Sequence, residues 1–344
     1  MKKTTTPLLY ELERFIVASR TGRRRKPDGN RVTPGTIQTY LNCLRLLKIF
    51  TEKDDVTWAI PTNMTVSKDG FRRGRAYWER FARKFSDFAY GRAYFDNYVA
   101  CLFKTLRALF HYLHEQFGWP IRHLLPYRLV RTEDIPVISL SAEQFRFLLR
   151  DEHFLDMLTY RQRIVRDIFV VGCATALRVS DLFRIRRQNL TNINGQKWLV
   201  MRSLKTGTET RLLLPQFVED IFSRYHLKAS RLLPKVSNVN LNIQIKKLGA
   251  LAGWTGTMLR FRNKRGIPLV CGQARRKKPM RFCDMLTSHT MRRTGVSLLL
   301  QLGVPEQMVR QVSGHKQGSR EFYRYVALNQ KWQDEQTQMA FSKL

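Results

Sequence analysis

Acidic side chains are scarce in this chain. Its 344 residues hold 27 Asp and Glu against 61 Lys and Arg, a formal net charge of +34. So one-sided a balance points to a polyanionic partner, held through a positive field and the release of counterions. Long apolar runs are also missing. No stretch approaches a bilayer span, and the opening MKKTTTPLLYELERF reaches acidic residues before any signal-peptide core forms. The expectation is a cytoplasmic protein with no membrane partner. Cysteine is sparse: Cys43, Cys101, Cys173, Cys271 and Cys283 are scattered, odd in number and mostly set among apolar residues. That reads as buried thiols in a reducing compartment, not as a disulfide framework. No Cys/His grouping has zinc spacing. His111 and His114 share a helix face, but nothing nearby completes a site, so neither metal nor cofactor is expected. A nucleic-acid enzyme and a structural nucleic-acid protein both survive these exclusions, and charge alone does not separate them.

What is present is concentrated in the last third, LTSHTMRRTGVSLLLQLGVPEQMVRQVSGHKQGSREFYRYVAL, residues 286–328. Apolar periodicity broken at Gly303–Pro305 and Gly314 predicts helix, turn, helix, turn, helix, with polar groups at helix starts and turns. His289 and Arg292, three residues apart, project from one helix face and suit two donors converging on a phosphate. A solvated helix start is the plainer reading of that pair. A second polar segment lies upstream in ATALRVSDL, residues 174–182, where Arg178 falls at a turn and Asp181 can orient a guanidinium or a nearby lysine.

The length allows two or three domains. Helices are predicted over 7–19, 36–50 (with Thr33 as cap and Pro34 in the first turn), 75–89 and 94–117. Residues 52–69 read as a polar loop. The aromatics of the third and fourth helices have core spacing and are read as packing, not as platforms for bases. Arg23, Arg24, Arg25 and Lys26 sit in a loop and are candidate DNA-phosphate contacts, with a solvated charge run as the other reading. Three prolines in 118–136 mark a domain boundary. Beyond it, helices are predicted over 141–149, 160–173, 217–230 and 239–252. Residues 197–215 form a strand pair flanking the turn Lys205-Thr-Gly-Thr208. Residues 259–282 are very basic and read as a loop or irregular hairpin against DNA, with Arg275, Arg276, Lys277 and Lys278 as further contacts.

ATALRVSDL, SHTMRR, SGHK and FYRYVAL, in that order, resemble the motif segments of tyrosine recombinases, the phage-integrase family. VTPGTIQTYLNCLRLLKIF is similar to their core-binding domain. The resemblance runs over about residues 30–330 and in motif style is nearest to integrases of Bacteroides-type mobile elements. It implies a mainly α fold with a small antiparallel β-hairpin or sheet. The implied order is an N-terminal helix and basic arm over 1–30, a helical core-binding domain over 31–120 and a linker over 121–140. A catalytic α+β domain over 141–328 follows, and then a tail over 329–344 that could pass to a neighbouring protomer.

The same resemblance implies a site-specific recombinase or integrase that cuts and rejoins DNA through a 3′-phosphotyrosyl link, without ATP or metal. Arg178 and Arg292 would hold the scissile phosphate, Lys205 would protonate the leaving 5′ oxygen, His289 would exchange protons, His315 would hydrogen-bond the phosphate and Asp181 would support the site. The family places its nucleophile nine residues after the histidine matched by His315. Tyr323 is eight residues on and Tyr325 ten, and Tyr325 is favoured because RYVAL matches the nucleophile and its apolar follower. Arg202 or Lys197 could displace Lys205, and Arg293 stands where the family usually has histidine. Implied partners are double-stranded DNA with paired sites, a homotetramer on that DNA and an accessory directionality or DNA-bending factor; the place is the bacterial nucleoid. A resolvase or invertase of the same chemistry, or an inactive DNA-binding architectural protein, are the other readings.

Overall fold

The computed structural model describes residues 5–62, 68–126, 132–225, 230–271, 279–315, 317–328 and positions 334, 337, 338 and 341. Two compact units divide it, Met1–Ile135 with Arg260–Cys271, and Pro136–Leu259 with Gly272–Leu344.

In the first unit, β1 (Thr5–Pro7) leads into α1 (Leu8–Thr21), followed by α2 (Pro34–Asp54), β2 (Ala59–Pro61), α3 (Lys68–Gly91) and α4 (Asp96–Phe117). Thr33 caps α2 by accepting from the Thr36 amide, with Pro34 in the first turn where its missing N–H costs nothing. Trp78, Phe81 and Phe85 from α3 interleave with Phe103 and Phe110 from α4 in one buried core, so these aromatics pack and do not face a ligand. The loop expected over 52–69 is a correction. Ile60, fully buried at the centre of β2, fixes this short strand, which pairs antiparallel with β1, and Trp58 is buried just before it.

The second unit opens with α5 (Ala142–Arg150), α6 (Glu152–Met157), α7 (Tyr160–Thr175) and α8 (Val179–Leu182). The cap of α5 is a Ser141–Gln144 box. A three-stranded antiparallel sheet follows, β3 (Leu190–Ile193), β4 (Gln196–Arg202) and β5 (Glu209–Leu213), in that order. Then come α9 (Gln216–Ser223), α10 (Asn238–Leu251) and β6 (Thr257–Met258). The chain next runs into β7 (Arg260–Lys264) and β8 (Ile267–Cys271), which belong to the first unit.

The basic stretch expected to be a loop or irregular hairpin is here a regular one. Lys264 pairs with Ile267 across a two-residue turn whose Arg265 and Gly266 both have positive φ, 58° and 82°. Its tip is received by Asp96, 1% exposed, whose carboxylate accepts from the Arg265 and Gly266 amides at 2.7 and 2.9 Å and from the Tyr90 hydroxyl at 2.8 Å. Arg262 is held by Glu133 at 2.6 Å and Arg265 by Asp87 at 2.7 Å, so these two cations are engaged within the fold.

Back in the second unit, β9 (Met280–Arg281) pairs with β6, and α11 (Phe282–Met285), α12 (Ser288–Gln301), α13 (Glu306–Ser313) and α14 (Arg320–Leu328) follow. Among the described residues no helix is long and apolar enough to cross a membrane. Helices α7 and α12 approach closely because glycine faces each: a Cβ on Gly295 would lie 2.1 Å from the Cys173 carbonyl oxygen. Backbone cannot yield as a side chain can, so Gly295→Ala is expected to destabilise this unit by about 3 kcal/mol. Urea unfolding checks it.

Candidate active site

The first site element is the turn after α7. Ala176 adopts the left-handed conformation at φ 50°, uncommon for a residue with a Cβ, and the chain reverses there. Gly295 makes room for it, since a Cβ on Gly295 would also press on Ala176. The turn does two things. It places Arg178 at the start of α8, half-buried, and it aims the Ala176 carbonyl at Arg292, whose Nη1 donates to it at 3.0 Å.

Arg178 donates from Nη1 to Ser203 Oγ at 3.3 Å, and Ser203 donates to Asp181 at 3.0 Å. Asp181 is 1% exposed and accepts the Leu204 amide at 2.9 Å as well as Arg184 at 3.4 Å. One buried carboxylate therefore braces both the guanidinium of Arg178 and the root of the turn that carries Lys205. Lys205 itself stands exposed at the turn between β4 and β5, where Gly207 takes φ 67°. Lys197 is tied to Glu219 at 2.6 Å, and Arg202 lies 3.8 Å from Glu209.

From α12 come His289 and Arg292. Arg292 is 2% exposed; burial first and Arg178 second bring its guanidinium down to about 10. Its Nη2 lies 3.0 Å from His315 Nε2 and 3.3 Å from Nδ1. His315 follows Gly314, the left-handed cap of α13, where a Cβ would meet Thr208 Oγ1 at 3.0 Å and stand 3.9 Å from Arg178 Nη1. The β5 end, Arg178 and His315 therefore gather at one place that only glycine lets close.

Both imidazoles are held neutral. Burial, then Arg292, Arg178, His289 and Arg310, push His315 down to about 3; desolvation, then Arg293, Arg292 and Arg178, bring His289 to about 4. His289 is nonetheless exposed to solvent, so its desolvation weighs less than that of the partly buried His315. The sign of the pH effect follows. As pH falls below 6.5 the unfolded chain binds protons that the folded one refuses until about 4 or 3, so stability is present above 6.5 and lost through that interval. His315→Gln is expected to show a shallower fall in unfolding free energy over the same window.

The two tyrosines of α14 part company. Tyr325 is 4% exposed, packed with Phe322, Val309 and Val296, its ring centroid 5.8 Å from that of His315. Burial raises its pKa, against the opposing pull of Arg292 and of Arg293, which also hydrogen-bonds it. Tyr325 is thus kept a phenol and not the phenolate that cationic neighbours alone would favour. Tyr323 is 49% exposed, with the Arg310 guanidinium 5.1 Å over its ring. Arg178, Arg292, His289, His315 and Tyr325 come together, with Asp181 beneath and Lys205 on the adjoining turn; Tyr323 does not join them.

Ser203, Ser313 (its Oγ 2.7 Å from His315 Nδ1), Arg293 and the Ala176 carbonyl were not singled out from sequence as partners of these groups. Only Arg293 carried a signal, as a cation where the family usually has histidine. In the other unit, Arg23, Arg24, Arg25 and Lys26 line a concavity of about 600 Å³ with Lys104, Arg107 and His111. Arg24 is partly committed there, 4.4 Å over the Phe15 ring, and Arg25 donates to the Gly29 carbonyl at 3.0 Å. Arg275, Arg276, Lys277 and Lys278 lie outside the described residues, as does most of the tail.

No family model and no curated protein matches the sequence. Solved structures do match the fold. XerH site-specific recombinase bound to a palindromic difH substrate is 14% identical, with 96% of this chain and 95% of that one covered at a TM-score of 0.56. A lambda integrase dimer bound to a COC′ core site is 12% identical over 94% and 77%, TM-score 0.59. The Tn1549 transposon integrase in complex with transposon right-end DNA is 15% identical over 92% and 95%, TM-score 0.54. The chain has the mainly α fold with small β-sheets of the two-domain tyrosine recombinases.

Proposed function

We propose that this protein is a site-specific DNA recombinase, an integrase of a mobile element of the Bacteroides type, that cleaves and rejoins DNA through a 3′-phosphotyrosyl intermediate. The observation that carries the reading is the convergence of Arg178, Arg292, His289 and His315 around the buried Tyr325, drawn from four separate segments. A phosphodiester resists attack because its negative charge repels nucleophiles and grows on the equatorial oxygens. Two fixed guanidiniums answer both difficulties, and hydrogen bonds to a charged group are the strong ones. Arg178 and Arg292 take the nonbridging oxygens, Tyr325 Oη attacks phosphorus, and Lys205 on its exposed turn gives the leaving 5′ oxygen a proton. His289, neutral and solvent-facing, exchanges protons at the same phosphate. The link preserves the bond energy, so a DNA hydroxyl can reseal the strand without ATP.

The helical unit serves as the core-binding domain, with Arg23, Arg24, Arg25, Lys26 and Arg107 on DNA backbone, and the second unit as the catalytic domain. Arg275, Arg276, Lys277 and Lys278 are further DNA contacts. The working assembly is a homotetramer on paired duplex sites, in the bacterial nucleoid, assisted by a directionality or DNA-bending factor. A nicked suicide duplex tests the reading: an SDS-resistant protein–DNA adduct is expected, whereas only reversible, salt-sensitive complexes would reduce the protein to a DNA binder.

A further inference from the structure

The helix that carries both tyrosines is gripped by an arginine outside the motif segments. Arg310 lies on α13, and its main chain already serves the site, since its carbonyl accepts the His315 amide at 3.0 Å. Its guanidinium reaches across to α14, 4.7 Å over the Phe322 ring and 5.1 Å over that of Tyr323, two rings set edge to face with centroids 6.4 Å apart. Arg310 also hydrogen-bonds Tyr323. A cation over aromatic faces is attracted by their negative quadrupoles, and more so where water is excluded. Phe322 is fully buried and Arg310 Nε is buried without a hydrogen-bond partner, so the contact is largely shielded. Glu306, one turn earlier on α13, accepts from Arg310 Nη2 at 2.9 Å. Such an i,i+4 pair adds little stability by itself, but it fixes the rotamer that lies on the rings.

The rings under Arg310 belong to the nucleophile's own helix. Phe322 and Tyr325, three residues apart, share the inward side of α14, and their ring centroids stand 5.5 and 5.8 Å from that of His315. Tyr323 falls on the other side and is 49% exposed. We propose that Arg310 is a positioning residue: clamped on Phe322 and Tyr323, it sets the rotation of α14 about its axis so that Tyr325, and not Tyr323, meets the scissile phosphate. This rests on the recombinase reading and names what selects the nucleophile assigned there. The need for a clamp follows from length. Helix α14 has nine residues, too few to hold its setting by helical propensity. A nucleophile misplaced by about 1 Å can lose about a hundredfold in rate. Each tyrosine is thus pinned by a different helix, Tyr325 by Arg293 of α12 and Tyr323 by Arg310 of α13. Contact with DNA would be the other use of the Arg310 charge. Glu306 already neutralises it, however, and Glu209 lines the same hollow beside His315, so a phosphate there would meet two carboxylates.

The test is single-turnover adduct formation by the full chain on the nicked suicide duplex at saturating DNA, with DNA affinity measured separately. Arg310→Met keeps an unbranched cover over the rings and removes the charge. It should slow the reaction about tenfold, the size of one shielded cation–π contact, with affinity for DNA unchanged and the chain still folded at the assay temperature. Arg310→Lys, which keeps a cation, should recover most of the rate. Tyr323→Ala should slow the reaction about threefold to tenfold, and Tyr323→Phe, which keeps the ring, much less. In the double variant Arg310→Met, Tyr323→Ala the loss should fall short of the product of the two single losses, because both remove the same contact. Arg310→Met reacting at the wild-type rate overturns the proposal. So does a loss seen only in DNA affinity, which would make Arg310 a DNA contact, or a fully multiplicative loss in the double variant. If wild type forms no adduct at all, the recombinase reading falls and the clamp with it; if it forms one, only the Arg310 assignment is at stake.

Discussion

Tyr325→Phe is expected to abolish the covalent adduct with a nicked suicide duplex while DNA binding and folding persist. The ring is buried against Phe322, Val309 and Val296, and phenylalanine keeps that shape, so packing changes little. Only Oη is lost, and with it the atom that would bond phosphorus. Tyr323→Phe should leave the adduct intact, because that ring lies exposed beside Arg310 and away from His315. Denaturing gels of the trapped reaction separate the outcomes. Adduct persisting in Tyr325→Phe removes this nucleophile assignment.

The next largest effect is expected at Arg292. Replacing it by alanine removes a preorganised donor to the phosphate, the bond that fixes it to the Ala176 carbonyl and its contact with the His315 ring nitrogens. Loss of one such donor costs about a hundredfold to a thousandfold in rate. Lysine should not restore it, since a point charge cannot keep the carbonyl bond while offering a second, geometrically fixed N–H. Truncation also leaves the buried Ala176 carbonyl without its donor, so some loss of stability is expected beside the loss of rate. Single-turnover cleavage together with thermal unfolding separates a catalytic from a structural defect.

Much of the fold was legible because long helices advertise themselves by period. Leu102, Leu106, Leu109 and Leu113 place one face of α4 in the core, and Gly207 after Lys205 marks the turn between β4 and β5. Short elements were not legible. Three-residue strands such as β1 and β2 offer no period to count, and their pairing joins Thr5 to Pro61 across the whole of α1 and α2. The basic hairpin read as a loop or irregular hairpin against DNA because its acceptors are remote in sequence: Glu133 for Arg262, Asp96 for the Arg265 amide.

In the site, motif order pointed to the arginines and histidines, but not to what orients them. Ser203 and Ser313 are ordinary serines until burial shows one bridging Arg178 to Asp181 and the other fixing an imidazole. Helical geometry put Tyr323 and Tyr325 on opposite sides of α14, yet which side faced inward depended on Phe322, fully buried and three residues before Tyr325.

The central claim is that cations distant in the chain close around one phosphorus atom within reach of a single phenol. Tryptic mapping of the trapped adduct tests it most directly, because cleavage after Arg320, Arg324 and Lys331 puts the two tyrosines on different peptides. The nucleotide mass is expected on Tyr325–Lys331. Mass on Glu321–Arg324, or on no peptide at all, would contradict the account.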